Sequence, residues 1–255
     1  MSIATEITRL QTAKANIKTA MESKGVVVPS ATTLDGYPSI INTIQTFDPY
    51  NGHAYVEIGG LKWATMNIGA SSPTDYGQYF QWGDTTGYFS GSVGTSGTTF
   101  AKPFSWADYK YGNGTSEPGV TGMTKYNSGD TKTVLDLSDD AARANWGGSW
   151  RMPTTEEYVA LGNAVNYAWT ADYQGSGVSG LVLTDKTDSS KTLFFPAAGN
   201  CRRGSVINVG GVGSYWSSSF FSSEETYGMR FSSSYVNWQD INSRNYGFSV
   251  RPVVG

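Results

Sequence analysis

Side chains suited to catalysis are sparse and scattered in this chain. It has one histidine, His53, and one cysteine, Cys201. His53 stands in the segment FDPYNGH without the serine and aspartate context of a nucleophilic relay, and is read as exposed and inert. A lone thiol excludes an intramolecular disulfide framework and a cysteine-rich zinc site. Adjacent carboxylates occur at Asp139-Asp140, Glu156-Glu157 and Glu224-Glu225. Such pairs on helices serve the dipole or face solvent, so none is assigned to acid–base work. The run GSGVSG at Gly175–Gly180 has the spacing of a dinucleotide loop. It lacks the preceding strand, the following helix and the later acidic residue, and reads as a plain loop. Asn113-Gly114-Thr115 has only the form of a glycosylation site. No catalytic residue, metal ligand or cofactor is assigned, and no enzyme activity is expected.

Recognition is the chemistry that the C-terminal part favours. From Ser205 to Ser249 there are twelve serines, ten aromatic residues and no lysine. The charged residues there are only Glu224, Glu225, Arg230, Asp240 and Arg244. Tyrosine and tryptophan supply contact area at low entropy cost, while serine, glycine and asparagine adapt their hydrogen bonds. The alternative is an ordinary serine- and tyrosine-rich run of strands and loops. Strand alternation separates scaffold from surface. Tyr227, Met229 and Phe231 share one parity, and Gly228 and Arg230 the other. Val236 is expected in the core, and 232–235 and 237–246 as exposed loops.

The elements that must position these residues fall into two parts. The chain has 255 residues and 27.5 kDa, room for one large or two small domains. It is 38% hydrophobic and 15% charged, with 31 glycines, a composition of turns around an aromatic core rather than of disorder. A net charge of −3 and a pI of 5.2 argue against general nucleic-acid binding. No apolar run reaches a membrane span, and the start MSIATEITRLQTAK has no secretory pattern. Residues 1–46 form one unit. Ile3, Ile7, Leu10, Lys14, Ile17, Met21 and Lys24 follow the alternating spacing of a heptad seam, with Gly25 as a stop. Pro38 opens a second short helix with Ile40, Ile41 and Ile44 on one face. The segment is expected to self-associate, dock on a partner, or pack as a hairpin on the main domain. Residues 47–53 are a turn-rich linker, and 54–255 one domain. Strands are expected at 54–58, 61–66, 181–184, 192–195, 214–218, 227–231, 236–238 and 248–253, with long loops over 84–132. Ser138 is expected to cap a helix over DDAARANW. Thr154 and Glu157 make a capping box for a better helix that runs through Val159, Leu161 and Val165. The fold class is α+β, irregular antiparallel sheets with two helices, preceded by the N-terminal helical segment.

Several blocks then occur in a fixed order: LKWATMNIGA at 61–70, YGQYFQWGD at 76–84, DDAA at 139–142 and WGGSWRMPT at 146–154. FPAAG at 195–199, YWSS at 215–218 and GFSVRPV at 247–253 follow. Over about residues 55–255 they resemble the C-type-lectin-fold domains of the major paralogous domain family of gut Bacteroidetes. The same blocks are similar to those of variable proteins of diversity-generating retroelements. The first 46 residues resemble the attachment segments of bacteriophage tail or fibre proteins. The scaffold is also distantly similar to formylglycine-generating enzymes, but their catalytic cysteines have no counterpart at Cys201.

This resemblance implies a C-type lectin fold with a variable region over about 200–250. In such systems a template AAC codon becomes NNC, which encodes Asn, Ser, Tyr, Phe, Ile, Val, Asp, Arg, Gly or Cys among others. It cannot encode Glu, Gln, Lys, Met or Trp. The candidate ligand-binding positions are then Asn200, Ser205, Ile207, Asn208, Val209, Phe220, Phe221, Ser222, Arg230, Ser232, Ser234 and Tyr235, continuing with Asn237, Asp240, Asn242, Ser243, Asn245 and Tyr246. Cys201 fits as a random product. Trp238 is included as a contact that needs another template codon or is fixed. Trp63, Trp82, Trp146, Trp150 and Trp216 would form an invariant core. Sugar-binding lectins hold calcium through an acidic Pro-flanked tripeptide and a Trp-Asn-Asp block. Glu117-Pro118-Gly119 and Trp238-Gln239-Asp240 match these only in part and offer few of the six or more oxygens calcium takes. The implied partners are a host cell-surface protein or glycan, and either two further copies in a homotrimer or a virion tail component. No nucleic acid and no membrane insertion are expected. The implied location is the virion, or the bacterial cytoplasm before assembly. The alternative is an undiversified surface adhesin or carbohydrate-binding module of the same fold.

Overall fold

The computed structural model describes residues 3–22, 27–37, 50–88, 102–114 and 122–255. Three α-helices lie in these segments: α1 (Ile3–Glu22), α2 (Ala141–Trp146) and α3 (Thr155–Ala164). The strands begin with β1 (Tyr55–Ile58), β2 (Leu61–Ala64), β3 (Val165–Thr170), β4 (Gly180–Asp185), β5 (Thr192–Pro196) and β6 (Asn200–Arg202). They continue with β7 (Ser205–Ile207), β8 (Val212–Phe220), β9 (Glu225–Ser232), β10 (Val236–Ser243) and β11 (Val253–Val254). All strand pairs are antiparallel, in the sheets β1-β2-β11, β10-β9-β8, β3-β4-β5 and the hairpin β6-β7. The protein is thus mixed α+β, with small sheets and few helices. No helix among the described residues is long and apolar enough to cross a membrane.

Local sequence explains the helix ends. Thr154 accepts from the Glu157 amide, and the Glu157 carboxylate accepts from the Thr154 amide at 2.8 Å, the expected capping box. α3 stops at Ala164 because β-branched Val165, expected on the helix, turns to extended backbone and opens β3. Asp140, not Ser138, caps α2. A 3-10 turn at Leu137–Asp139 delays the helix, and the Asp140 carboxylate accepts from the Arg143 amide at 3.0 Å. The second N-terminal helix expected from Pro38, and the Lys24-Gly25 stop, lie outside the described residues. Between 84 and 132 the described residues hold only short pieces, chiefly the 3-10 turn Trp106–Asp108.

Three apolar clusters fill the main body. The first packs Trp63, Tyr158, Leu161, Phe195, Tyr215, Met229 and Phe231 between α3 and three sheets. The second holds Phe80, Trp82, Trp216 and Phe248, the last two stacked at 3.9 Å. The third contains Tyr79, Phe104, Cys201 and Val206. Trp63, Trp82, Trp150 and Trp216 are buried as expected, but Trp146 is only partly so. It stacks face to face on His53 at 3.7 Å, so His53 is neither exposed nor idle: it fastens the linker to the end of α2. Arg251 ties the closing segment to β2 and β5. Its guanidinium is fully buried and donates to Asn67 Oδ1 (3.0 Å), Ala64 O (2.9 Å) and Phe194 O (2.9 Å). Each nitrogen of the guanidinium thus meets an acceptor, the condition for tolerating the charge inside.

Candidate binding surface

The β8-β9-β10 sheet has two unlike faces, and its register assigns each residue to one of them. Residues directly paired across antiparallel strands share a face. Tyr215 pairs with Met229 and Gly213 with Phe231, and these point into the first cluster. The opposite face carries the rungs Ser214–Arg230–Asn237, Trp216–Gly228–Asp240 and Phe220–Thr226–Asn242. On β8 this face is covered by the second cluster, through Trp216 and Phe220. It opens only at Arg230 and Ser232 of β9 and at Asn237, Asp240 and Asn242 of β10, which come together on one side, while Thr226 and Gly228 of β9 are buried. Asp240 organises it: its carboxylate accepts from Asn237 Nδ2 (3.0 Å) and Asn242 Nδ2 (2.5 Å).

The turns extend this face. Phe221 and Ser222 lie at the β8–β9 end, and Ser234 and Tyr235 at the β9–β10 end. Ser243 ends β10, where it pairs with Glu225 on the other side of the sheet, and Tyr246 follows it. Ser205, Ile207, Asn208 and Val209 sit on or just beyond the β6-β7 hairpin, which bridges to the main body through Cys201–Gly247 and Gly199–Gly213. Of these candidates Asn208, Phe221, Ser234, Tyr235 and Asn237 are exposed. Ser205, Ile207, Val209, Phe220, Ser222, Arg230, Ser232, Asp240, Asn242, Ser243 and Tyr246 are half-buried.

Four residues depart from the expected surface. Asn200 and Asn245 are buried. Cys201 is fully buried, and burial pushes its thiol well above the usual range, so it is a core residue rather than a surface variant. The cause in each case is pairing: Asn200 and Cys201 are strand residues in a hairpin pressed on the body, and the Asn245 carbonyl accepts from buried Gln81 Nε2 at 2.9 Å. Trp238 turns to the other side of the sheet. Its indole lies on Gly162 of α3, where an added Cβ would stand 2.6 Å from the ring, and meets Tyr167 edge-on at 5.9 Å. Val236 is half-buried rather than core, and 236–243 is strand rather than loop.

Sequence reasoning missed two features here. Ser214 was read only as strand, yet its hydroxyl is buried on the accessible side's rung without a hydrogen-bond partner. Arg244 is sealed inside, its guanidinium over the rings of Trp82 (5.3 Å), Phe220 (5.5 Å) and Tyr109 (5.7 Å) with no hydrogen-bond acceptor. The only sequence signal for it was a charge set between aromatic and polar turn residues. Among the described residues no group of three or more His, Cys, Asp and Glu is placed to hold a metal ion. No known family model, curated protein or solved structure matches this chain.

Proposed function

We propose that the chain is a non-enzymatic ligand-binding protein of C-type lectin fold whose C-terminal face is diversified by a retroelement. Its role would be host recognition on a phage tail. The observation that carries this reading is the accessible side of β9 and β10 with its turns. It gathers short polar and aromatic residues that NNC codons encode, while the reverse side is locked by large aromatic residues. Side chains on such a face can change without repacking the core, which is what a display scaffold requires. The exposed stripe of α1 supports attachment to further copies, as a trimer, or to a tail component. Several copies on one particle would multiply a weak single-site affinity.

Sequencing the DNA downstream of the gene tests this reading. The expected result is a near-copy of the 3′ coding end, differing mainly at adenines, beside a reverse-transcriptase gene. Absence of both would overturn diversification and leave a fixed adhesin or carbohydrate-binding module.

A further inference from the structure

We propose that the outer margin of the first cluster, where β3 meets β10, is a binding site for an uncharged sugar chain. Trp238 and Trp169 are its stacking platforms, and Tyr167 stands beside them. The site lies on the side of the sheet away from the variable face, so it goes beyond the reading above and does not depend on it.

β3 and β10 are edge strands of two different sheets. Their aromatic side chains bring them together. Tyr167 meets Trp238 edge-on at 5.9 Å. Trp169, two residues further along the same face of β3, meets Phe231 at 6.4 Å. Phe231 pairs with Val236, two residues before Trp238 on β10. The three rings thus follow one another along the margin. Tyr167 is 53% exposed, and Trp169 and Trp238 are half-buried.

Trp238 is held flat. A Cβ on Gly162 would stand 2.6 Å from indole Cε2 and 2.8 Å from Cδ2 and Nε1, so the α3 backbone lies against one face of the ring. The exposed area of the indole is then its other face and its rim. Polar tips set these rings apart from the scaffold. Trp82, Trp150 and Trp216 donate their indole N–H groups to Ser217 O, Tyr50 O and Phe80 O. The N–H groups of Trp169 and Trp238 and the Tyr167 hydroxyl have no partner within the protein and are open to solvent.

These features select the ligand. A purely apolar partner would bury three polar tips unpaired. A charged ligand finds no counter-ion on the two strands. β3 carries no charged residue, and the only one on β10 is Asp240, engaged with Asn237 and Asn242 on the other side of the sheet. Lys186, near Gly162, donates to Asn163 O at 2.7 Å. No cation among the described residues lies over any of the three rings. A pyranose ring presents C–H groups to an aromatic face and hydroxyls around its rim, and each hydroxyl can accept from an indole N–H. A peptide brings backbone N–H groups that donor-only indoles cannot receive.

NMR titration of the full chain reads the indole N–H signals of Trp169 and Trp238 directly. The probes are cellohexaose, chitohexaose and mannohexaose as neutral sugars, hexagalacturonate as an acidic one, and decaproline as a peptide suited to aromatic grooves. Saturable shifts of both indole signals are expected with at least one neutral sugar. Tyr167→Ala, at an exposed position, should weaken that binding about fivefold or more, and Tyr167→Phe by less. Tyr235→Ala, on the variable face, should leave it nearly unchanged. The site is overturned by the lack of a saturable shift with all three neutral sugars, by tighter binding of hexagalacturonate or decaproline, or by an equal loss in Tyr235→Ala. Adenine-directed variation in the DNA is an independent readout. A sugar response without such variation keeps this site and removes only the diversification reading.

Discussion

At the residue scale, Arg251 and Cys201 show opposite ways of being inside. Arg251 brings a charge into the interior, and three oxygens from two other segments receive it. Removing the charge leaves those acceptors unpaired and unlinks three segments. Arg251→Met should therefore cost about 3 kcal/mol or more of stability, measured by urea unfolding. Cys201 is apolar filling. In the folded protein its thiol should resist iodoacetamide at pH 8 and react fully in denaturant, because burial disfavours the thiolate. Trp238 and Gly162 form a third test. Gly162→Ala drives a methyl group into the indole and should destabilise by about 1–3 kcal/mol, with a blue-to-red change in tryptophan emission as the ring is displaced. The residue types of the surface were legible in the sequence. Which of them are buried was not, because Cys201 and Asn245 owe their burial to pairings with 247 and 81, far away along the chain, and Asn200 lies in a hairpin of three-residue strands pressed on the body.

Among the elements, α1 and β10 mark what periodicity can and cannot reveal. The heptad spacing of α1 was plain, and the helix indeed runs Ile3–Glu22. Ile3, Ile7, Leu10 and Ile17 are 81%, 51%, 43% and 40% exposed, whereas Met21 is covered by Val28 and Tyr37. The open seam is thus the first two-thirds of the helix. An exposed apolar seam of this spacing favours association with further helices. In sedimentation equilibrium the full chain should exceed its monomer mass of 27.5 kDa, and Ile7→Asp with Leu10→Asp should return it to monomer. A monomer in both would exclude self-association through α1. By contrast β10 reads as loop beyond Trp238 because a bulge between Asn237 and Asp240 breaks the period-two spacing of its apolar residues. The β6-β7 hairpin was hidden for a similar reason, since three-residue strands leave too little alternation to detect.

For the whole molecule, the loop-rich half is stabilised by charge as well as by aromatic packing. Asp139 accepts from Lys125, from Tyr126 Oη at 2.7 Å and from Lys110 at 3.1 Å. Burial alone would raise its carboxyl, but these bonds, led by Lys125, outweigh it and hold the group below the usual carboxylate range. A folded value below the unfolded one makes the contribution complete above about pH 4 and lost as the carboxyl protonates at lower pH. Thermal stability should fall as pH drops below about 4, and Asp139→Asn should lower stability at pH 7 by about 2 kcal/mol while flattening that acid limb. The mixed α+β class and the capped helix at Thr154 were legible because turns, capping boxes and aromatic blocks are local signals. The assembly of four small sheets around three clusters was not, because it depends on pairings between distant segments such as β2 with β11. The central claim is that one side of β9 and β10 is a changeable display and the other a fixed scaffold. Its most direct test is the variation of codons 200–246 across a population of genes. The account predicts changes concentrated at Ser205, Asn208, Phe221, Arg230, Ser234, Tyr235, Asn237, Asp240 and Asn242. It predicts constancy at Cys201, Tyr215, Met229, Phe231 and Trp238. Variation spread evenly over both sides of the sheet, or no variation at all, would contradict it.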